Sequence, residues 1–236
     1  MIYIILAAGK GSRLHPLTMK YPKSLYKLDG NTTVLQRMVS LIKKNDSLAK
    51  IVVVNGFMYE SIENELNGVE FVYNPFYSVT NSISSLWFAR EYLGIDNTVI
   101  LNADIVASDE LVKDIICKST DKPLVLLDSS IKKDGDYNVQ TSGAKVVVMS
   151  KKLDEYFGEY GGVVKLDRGS SVLLRDSIEE MIKDGFIDQW YEDALVQMIF
   201  RNDFNLYYED IADYDWTEVD CVGDLMLAKE IVSREK

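Results

Sequence analysis

The sequence predicts an α/β protein with a mixed, mostly parallel central sheet flanked by helices. Three observations carry that expectation. Near-continuous Val/Ile/Leu runs recur along the first half, amphipathic stretches separate them, and the two alternate in order. Strands buried on both faces read as unbroken apolar runs, and strand–helix–strand alternation is what a parallel sheet with crossover helices requires.

The apolar runs are Ile2 to Leu6, Ile51 to Val54, Val69 to Tyr73, Thr98 to Leu101 and Leu124 to Leu127. Leu35, Met38, Val39 and Ile42 follow helical spacing behind a capping box, Thr33 to Gln36. Ile83, Leu86, Trp87 and Leu93 make a second stripe; Leu111, Val112, Ile115 and Ile116 make a third behind Ser108-Asp109-Glu110. In the second half, Ala144 to Met149, Val163 to Leu166 and Leu206 to Tyr208 read as strands. Leu174 to Ile182, Ala194 to Phe200 and Leu225 to Val232 read as helices. These segments are expected to extend the sheet and wall one side of a pocket. Ligands belong at the carboxyl ends of the strands of such a sheet.

Composition removes several classes. With 47% hydrophobic residues, 14 Gly and 4 Pro in 236 residues, the chain is neither disordered nor low-complexity. No apolar run is long enough for a transmembrane helix. A formal charge of −11 opposes nucleic-acid binding through a basic field, so neither nucleic acid nor membrane is an expected partner. Cys117 and Cys221 stand alone, against a disulfide framework or structural zinc. Met1 to Gly9 lacks a basic leader and reads as a buried strand, which places the protein in the cytoplasm. No linker divides the chain, so one domain is expected over 1–236.

The sharpest local signal is Leu6-Ala7-Ala8-Gly9-Lys10-Gly11-Ser12-Arg13-Leu14, directly after the first strand. Small residues and two glycines let successive backbone N–H groups close on an anion, with Lys10 and Arg13 adding charge. A P-loop lacks its GxxxxGK[ST]. The dinucleotide fingerprint lacks both its third Gly, where Leu14 stands, and an acid after the second strand, where Asn55 stands. Taken alone, the loop reads equally well as an ordinary strand-to-helix turn.

Its continuation, Tyr21-Pro22-Lys23-Ser24-Leu25, changes that balance. The glycine loop followed by Pro22-Lys23 resembles the signature of the nucleotidyltransferases that activate sugar phosphates and small phosphorylated alcohols. The resemblance implies a Rossmann-like nucleotidyltransferase fold, with a nucleotide-binding part over 1–128 and an acceptor-binding part over 129–236. It implies that the loop cradles a triphosphate, that Arg13 contacts the phosphates and that Lys23 lies against the α-phosphate. Charge considerations suit the same residues: attack of one phosphate on another needs cations and amide dipoles aimed at the oxygens more than a proton-transfer group.

Asp104 ends the apolar strand of Leu101-Asn102-Ala103-Asp104, and Asp220 follows Trp216-Thr217-Glu218-Val219 before the last helix. Mg²⁺ takes few carboxylates together with substrate oxygens and water. Asp220 alone reads as well as a residue at a helix N-terminus. The resemblance implies that Asp104 and Asp220 hold Mg²⁺, with Glu218 behind them. Ala103 stands where the family usually has Gly.

From Tyr73 to Trp87 the chain carries Thr80-Asn81-Ser82 in place of the Gly-Thr-rich turn of sugar-phosphate enzymes. It is similar there to the phosphocholine cytidylyltransferase-like branch, whose members also use 2-aminoethylphosphonate, phosphoglutamine or inositol phosphate. The likeness implies that Ser85 contacts the cytosine of CTP, with Asn81 and Ser82 in similar roles and the backbone of Leu6, Ala7 and Gly9 supporting the base. Thr80, Asn81 and Ser82 read equally as caps of the next helix. Lys151 matches the lysine offered to the acceptor phosphate, and Gly158 to Val163 the strand lining that pocket. Trp190-Tyr191-Glu192-Asp193 brings aromatics and acids together, as an ammonium prefers, though Trp190 and Tyr191 also read as helix core. The resemblance runs through most of the chain and is weakest between Lys118 and Asp136.

The expectation is therefore a Mg²⁺-dependent enzyme in which the acceptor oxygen attacks the α-phosphorus of CTP. Pyrophosphate leaves, and the CDP-linked product serves capsule or lipopolysaccharide decoration. No general base is required, and His15 reads as structural or phosphate-contacting. A sugar-1-phosphate nucleotidyltransferase and a non-catalytic nucleotide-binding module are the competing expectations; a homodimer is compatible with the sequence.

Overall fold

The computed structural model describes residues 1–11, 21–131, 137–201 and 204–235. Its strands are β1 (Ile2–Ala7), β2 (Lys50–Asn55), β3 (Glu70–Tyr73), β4 (Thr98–Asn102), β5 (Ile105–Ala107), β6 (Leu124–Asp128), β7 (Asn138–Ser142), β8 (Lys145–Ser150), β9 (Gly158–Leu166), β10 (Tyr207–Asp210) and β11 (Trp216–Glu218). Its helices are α1 (Val34–Asn45), α2 (Tyr59–Glu65), α3 (Ser82–Phe88), α4 (Asp109–Leu111), α5 (Arg168–Lys183), α6 (Tyr191–Arg201) and α7 (Val222–Arg234).

Among the described residues, nine strands form one sheet in the order β3-β2-β1-β4-β9-β6-β10-β8-β7, and β5 pairs with β11 in a small second one. The pairings β3–β2, β2–β1, β1–β4 and β6–β10 are parallel. Antiparallel pairing enters with β9, which runs against both β4 and β6 and joins the two halves of the sheet. Alternate residues of one strand feed opposite cores: Ile2 and Ile4 pack with α3, α5 and α6, whereas Tyr3 and Ile5 pack with α1 and Ile62 of α2. A third cluster, with Leu28, Val106, Val219, Ala228 and Val232, seats α7 against the β5–β11 ribbon.

The capping box of α1 forms as the sequence predicts: Thr33 accepts from Gln36 N–H while the Gln36 side chain accepts from Thr33 N–H. Two helical stripes end sooner than predicted. α3 stops at Phe88, where the Ala89 N–H bonds Leu86 O and Trp87 O and the Arg90 guanidinium takes the Trp87 carbonyl at 3.0 Å and lies 4.0 Å from its ring; Leu93 follows a short 3₁₀ turn. The stripe from Leu111 is only one α turn before it widens into a π turn, Val112–Ile116; buried Lys165 donates to Ile115 O and Lys118 O beyond it. α2, β5, β7 and β11 were not expected. Each is short, and its pattern lacks a full period of either kind.

Candidate active site

The carboxyl ends of β1 and β4 open onto a cavity of about 400 Å³. Leu6, Ala7, Ala8, Gly9 and Gly11 form one wall; Lys23, Asp104, Glu218 and Asp220 form a second; Tyr77, Thr80, Asn81, Ser82 and Ser85 form a third. Gly11 has φ +62°, and a Cβ there would stand 3.1 Å from Lys23 Cγ. Glycine at this position thus lets the loop turn and lie along the Lys23 side chain. Pro22, in extended backbone, feeds the 3₁₀ turn that carries Lys23.

The β5–β11 ribbon gathers the acids. Glu218 pairs with Ile105 across it, and Val219 N–H donates to Asp104 O at 3.0 Å, so Asp220 arrives beside Asp104 from a distant part of the chain. Lys23 Nζ bridges the two, bonding Asp104 Oδ2 and lying 2.8 Å from Asp220 Oδ1. The other Asp104 oxygen, Oδ1, is buried with no hydrogen-bond donor among the described residues. Burial works against protonated Lys23, yet Asp104, Asp220 and Glu218 together outweigh it and raise its pKa. Burial, then Asp104, pushes Glu218 well above the ordinary carboxylate range, with Lys23 pulling the other way. Glu218 Oε1 accepts from Asn102 Nδ2 at 3.3 Å.

The alternative reading of Asp220 as a cap does not describe the structure. Cys221 is the N-cap of α7, and Asp224 at the third helical position accepts from Asp220 N–H at 3.0 Å and Cys221 N–H at 2.7 Å. Asp224 performs the capping, so the Asp220 carboxylate faces Lys23. At α3 Asn81 is the cap, accepting from Ser82 N–H, whereas Ser82 Oγ accepts from Tyr191 N–H at 2.9 Å instead of capping; both residues line the cavity.

Trp190, partly exposed, also lines the cavity, and Lys151 Nζ lies 4.3 Å from its ring centroid. Beneath it Tyr191 OH and Tyr160 OH share a 2.6 Å hydrogen bond, and Tyr137 OH donates to Asp193 at 2.6 Å. Tyr191 and Glu192 are buried behind Trp190 instead of walling the cavity. Burial raises Glu192 to about 8; its own backbone N–H and Lys151 oppose the shift, and Asp193 adds to it. Glu192 Oε2 has no hydrogen-bond partner among the described residues. Lys151 is not among the residues that line the cavity, and Lys10 is exposed with its ammonium 5.8 Å from the Tyr77 ring. Ser12, Arg13 and His15 lie outside the described residues.

Tyr77, Asn102 and Ser24 line the cavity and were not read from the sequence. Tyr77 and Ser24 carry no local signal. Asn74, fully buried behind the cavity wall, is signalled by its place in Asn74-Pro75 at a strand end, where an Asn side chain closes a turn on its own backbone.

The MobA-like NTP transferase domain model matches residues 3–162, most of the chain and all of the glycine loop, Lys23 and Asp104. The chain belongs to this family of nucleotidyltransferases. It is 24% identical to the choline-phosphate cytidylyltransferase of Streptococcus pneumoniae over 239 residues, covering 98% of each chain. It is 25% identical to the CTP:phosphoglutamine cytidylyltransferase of Campylobacter jejuni, covering 94% of this chain and 96% of that one. A shorter stretch, 45% of this chain and 44% of the relative, is 36% identical to the 2-aminoethylphosphonate cytidylyltransferase of Lancefieldella rimae. In structure the chain is similar to the CTP:phosphocholine cytidylyltransferase of S. pneumoniae, with a TM-score of 0.79 at 21% identity over 98% of this chain and 99% of that one. The fold is the Rossmann-like one of the nucleotidyltransferases.

Proposed function

We propose that the chain transfers CMP from CTP to a small phosphate or phosphonate acceptor that carries an amine or quaternary ammonium, releasing pyrophosphate. The observation that carries this reading is Lys23 held between Asp104 and Asp220 at the mouth of the glycine loop. An in-line displacement at phosphorus needs anion-binding amides, a fixed cation and a place for a divalent ion, and the glycine loop, Lys23, Asp104 and Asp220 that would supply them line one cavity.

The donor set fits Mg²⁺. It is made of carboxylate oxygens, and Asp104 Oδ1 is buried with no donor among the described residues. Among the described residues no three acidic, His or Cys side chains form a closed cage, and Mg²⁺ asks for less than that because it keeps waters and phosphate oxygens. Asp104 and Asp220 would hold it, and when bound it supplies Lewis-acid polarisation of the α-phosphate. The chain's own groups do the rest. Loop amides from Ala8 to Gly11 receive the triphosphate, with Arg13 adding its charge. Lys23, protonated across neutral pH, neutralises charge as it moves to the leaving pyrophosphate. The acceptor is already an anionic nucleophile, so its phosphate needs orientation, the role given to Lys151, and no general base.

Trp190, which lines the cavity, supports an acceptor bearing a cation by ring attraction. The names of the full-length relatives support CTP and this class of acceptor. A CDP-linked head group suits decoration of a surface polysaccharide, the use the family resemblance implies.

The test is pyrophosphate release with each of the four NTPs against phosphocholine, aminoethylphosphonate, phosphoglutamine, inositol phosphate and glucose 1-phosphate, with Mg²⁺ and with chelator. Turnover with CTP and one nitrogen-bearing acceptor, lost on chelation, is expected. Turnover restricted to glucose 1-phosphate, or undiminished by chelator, contradicts the reading.

A further inference from the structure

Asn74 is fully buried at the end of β3 and touches the cavity only through other residues. Its amide orientation is settled by its neighbours. Oδ1 accepts from the backbone N–H of Phe76 at 2.9 Å, a donor that cannot be reversed, so Nδ2 faces Ser85 Oγ at 3.1 Å and Thr80 Oγ1 at 3.3 Å. Thr80 agrees with that sense, since its hydroxyl proton is given to Phe76 O at 2.8 Å and its oxygen is free to accept.

Ser85 is then constrained. Its oxygen accepts from Asn74, so its proton must be given elsewhere. The usual outlet for a helical serine is the carbonyl four residues back. Here that carbonyl, Asn81 O, already receives Ser84 N–H at 3.1 Å and Ser85 N–H at 3.3 Å. Among the described residues no protein acceptor takes the Ser85 hydroxyl, and Ser85 lines the cavity. The hydroxyl therefore enters the cavity as a donor.

We infer that Asn74 is a specificity-determining positioning residue: by fixing Ser85 as a donor, it selects a pyrimidine that offers a ring-nitrogen lone pair over one that offers a ring N–H. Cytosine presents an acceptor at N3 where uracil presents a donor. A site with a fixed donor leaves that donor facing another donor when uracil enters, and such a mismatch discriminates more strongly than a lost contact. This rests on the CTP reading above and adds to it the origin of the preference for cytosine over uracil.

The decisive variant is Asn74→Asp. Its carboxylate keeps the bond from Phe76 N–H but now accepts from Ser85, turning a serine lone pair to the base. The ratio of kcat/KM for CTP to that for UTP is expected to fall by about tenfold or more through the nucleotide KM, with the acceptor KM unmoved. A change that merely loosened the loop would weaken both nucleotides alike. Ser85→Ala removes the donor without altering Asn74 and is expected to lower the same ratio, which keeps the test available if the aspartate variant does not fold. A wild-type ratio retained in either folded variant overturns this inference alone. A wild-type enzyme with no preference for CTP overturns the functional reading and this inference together.

Discussion

Lys23 and Asp220 are separated by 197 positions in sequence and joined by a 2.8 Å ion pair inside the cavity. The pair closes the site: one member comes from the turn after the glycine loop, the other from the ribbon that leads into the last helix. Asp104 completes it from the end of β4. Anion-binding and cation-binding groups from both ends of the chain are thus brought to one point by the sheet.

Replacing Lys23 with Met is expected to lower turnover by about 10²–10³-fold, the usual loss when a fixed charge at a transition state is removed. Steady-state kinetics on the folded variant check it. A loss of less than a few-fold would take Lys23 out of the chemistry.

Asp224 frees Asp220 by capping α7 itself. Asp224→Ala leaves the N–H groups of Asp220 and Cys221 without their acceptor. A lost cap of this kind costs about 1 kcal/mol, or about 2–4 °C in Tm for a chain of this size. Thermal melts should show that drop together with a higher Mg²⁺ requirement, because Asp220 is then less firmly placed.

The buried Glu192 carboxyl gives a pH signature. Its pKa is pushed up to about 8 by burial, from 4.5. Between those values the folded state binds the proton more tightly than the unfolded one, so its contribution to stability falls as pH rises through that window and is flat above it. Glu192→Gln removes the titration. Its Tm relative to wild type should rise between pH 4.5 and 8 by about 5 °C or more, a gap that closes again in acid. A pH-independent difference would contradict the assigned burial.

Gly56 directly follows β2 and lies against Tyr77 and Ala8 of the cavity wall. A Cβ there would meet Tyr77 Cβ at 2.7 Å and Ala8 Cβ at 3.0 Å. Gly56→Ala is expected to displace Tyr77 or the glycine loop and raise the nucleotide KM by about tenfold or more, with the acceptor KM little changed. Kinetics with each substrate varied in turn separate the two.

Much of this was legible in the residues. β1, β2 and β4 are buried on both faces, so Val, Ile and Leu dominate their sequences and could be read directly. The capping box of α1 is written in adjacent side chains. The ribbon of β5 and β11 could not be read that way, because each strand is three residues long and stable only against the other. Of the site, Lys23, Asp104 and Asp220 were marked by motif, but their meeting is a property of the sheet. Asn74 illustrates what stays hidden: its role lies in which way one amide faces, and that is set by Phe76, Thr80 and Ser85 once the turn has closed.

Under the proposed reaction CMP passes intact to an amine-bearing phosphate or phosphonate acceptor. Phosphorus NMR of the enzyme with CTP, Mg²⁺ and the acceptor chosen from the panel tests it most directly. Two mutually coupled resonances of a new phosphoanhydride are expected, together with pyrophosphate in equal amount. Pyrophosphate accompanied by free CMP, or unchanged CTP with every acceptor, would contradict it.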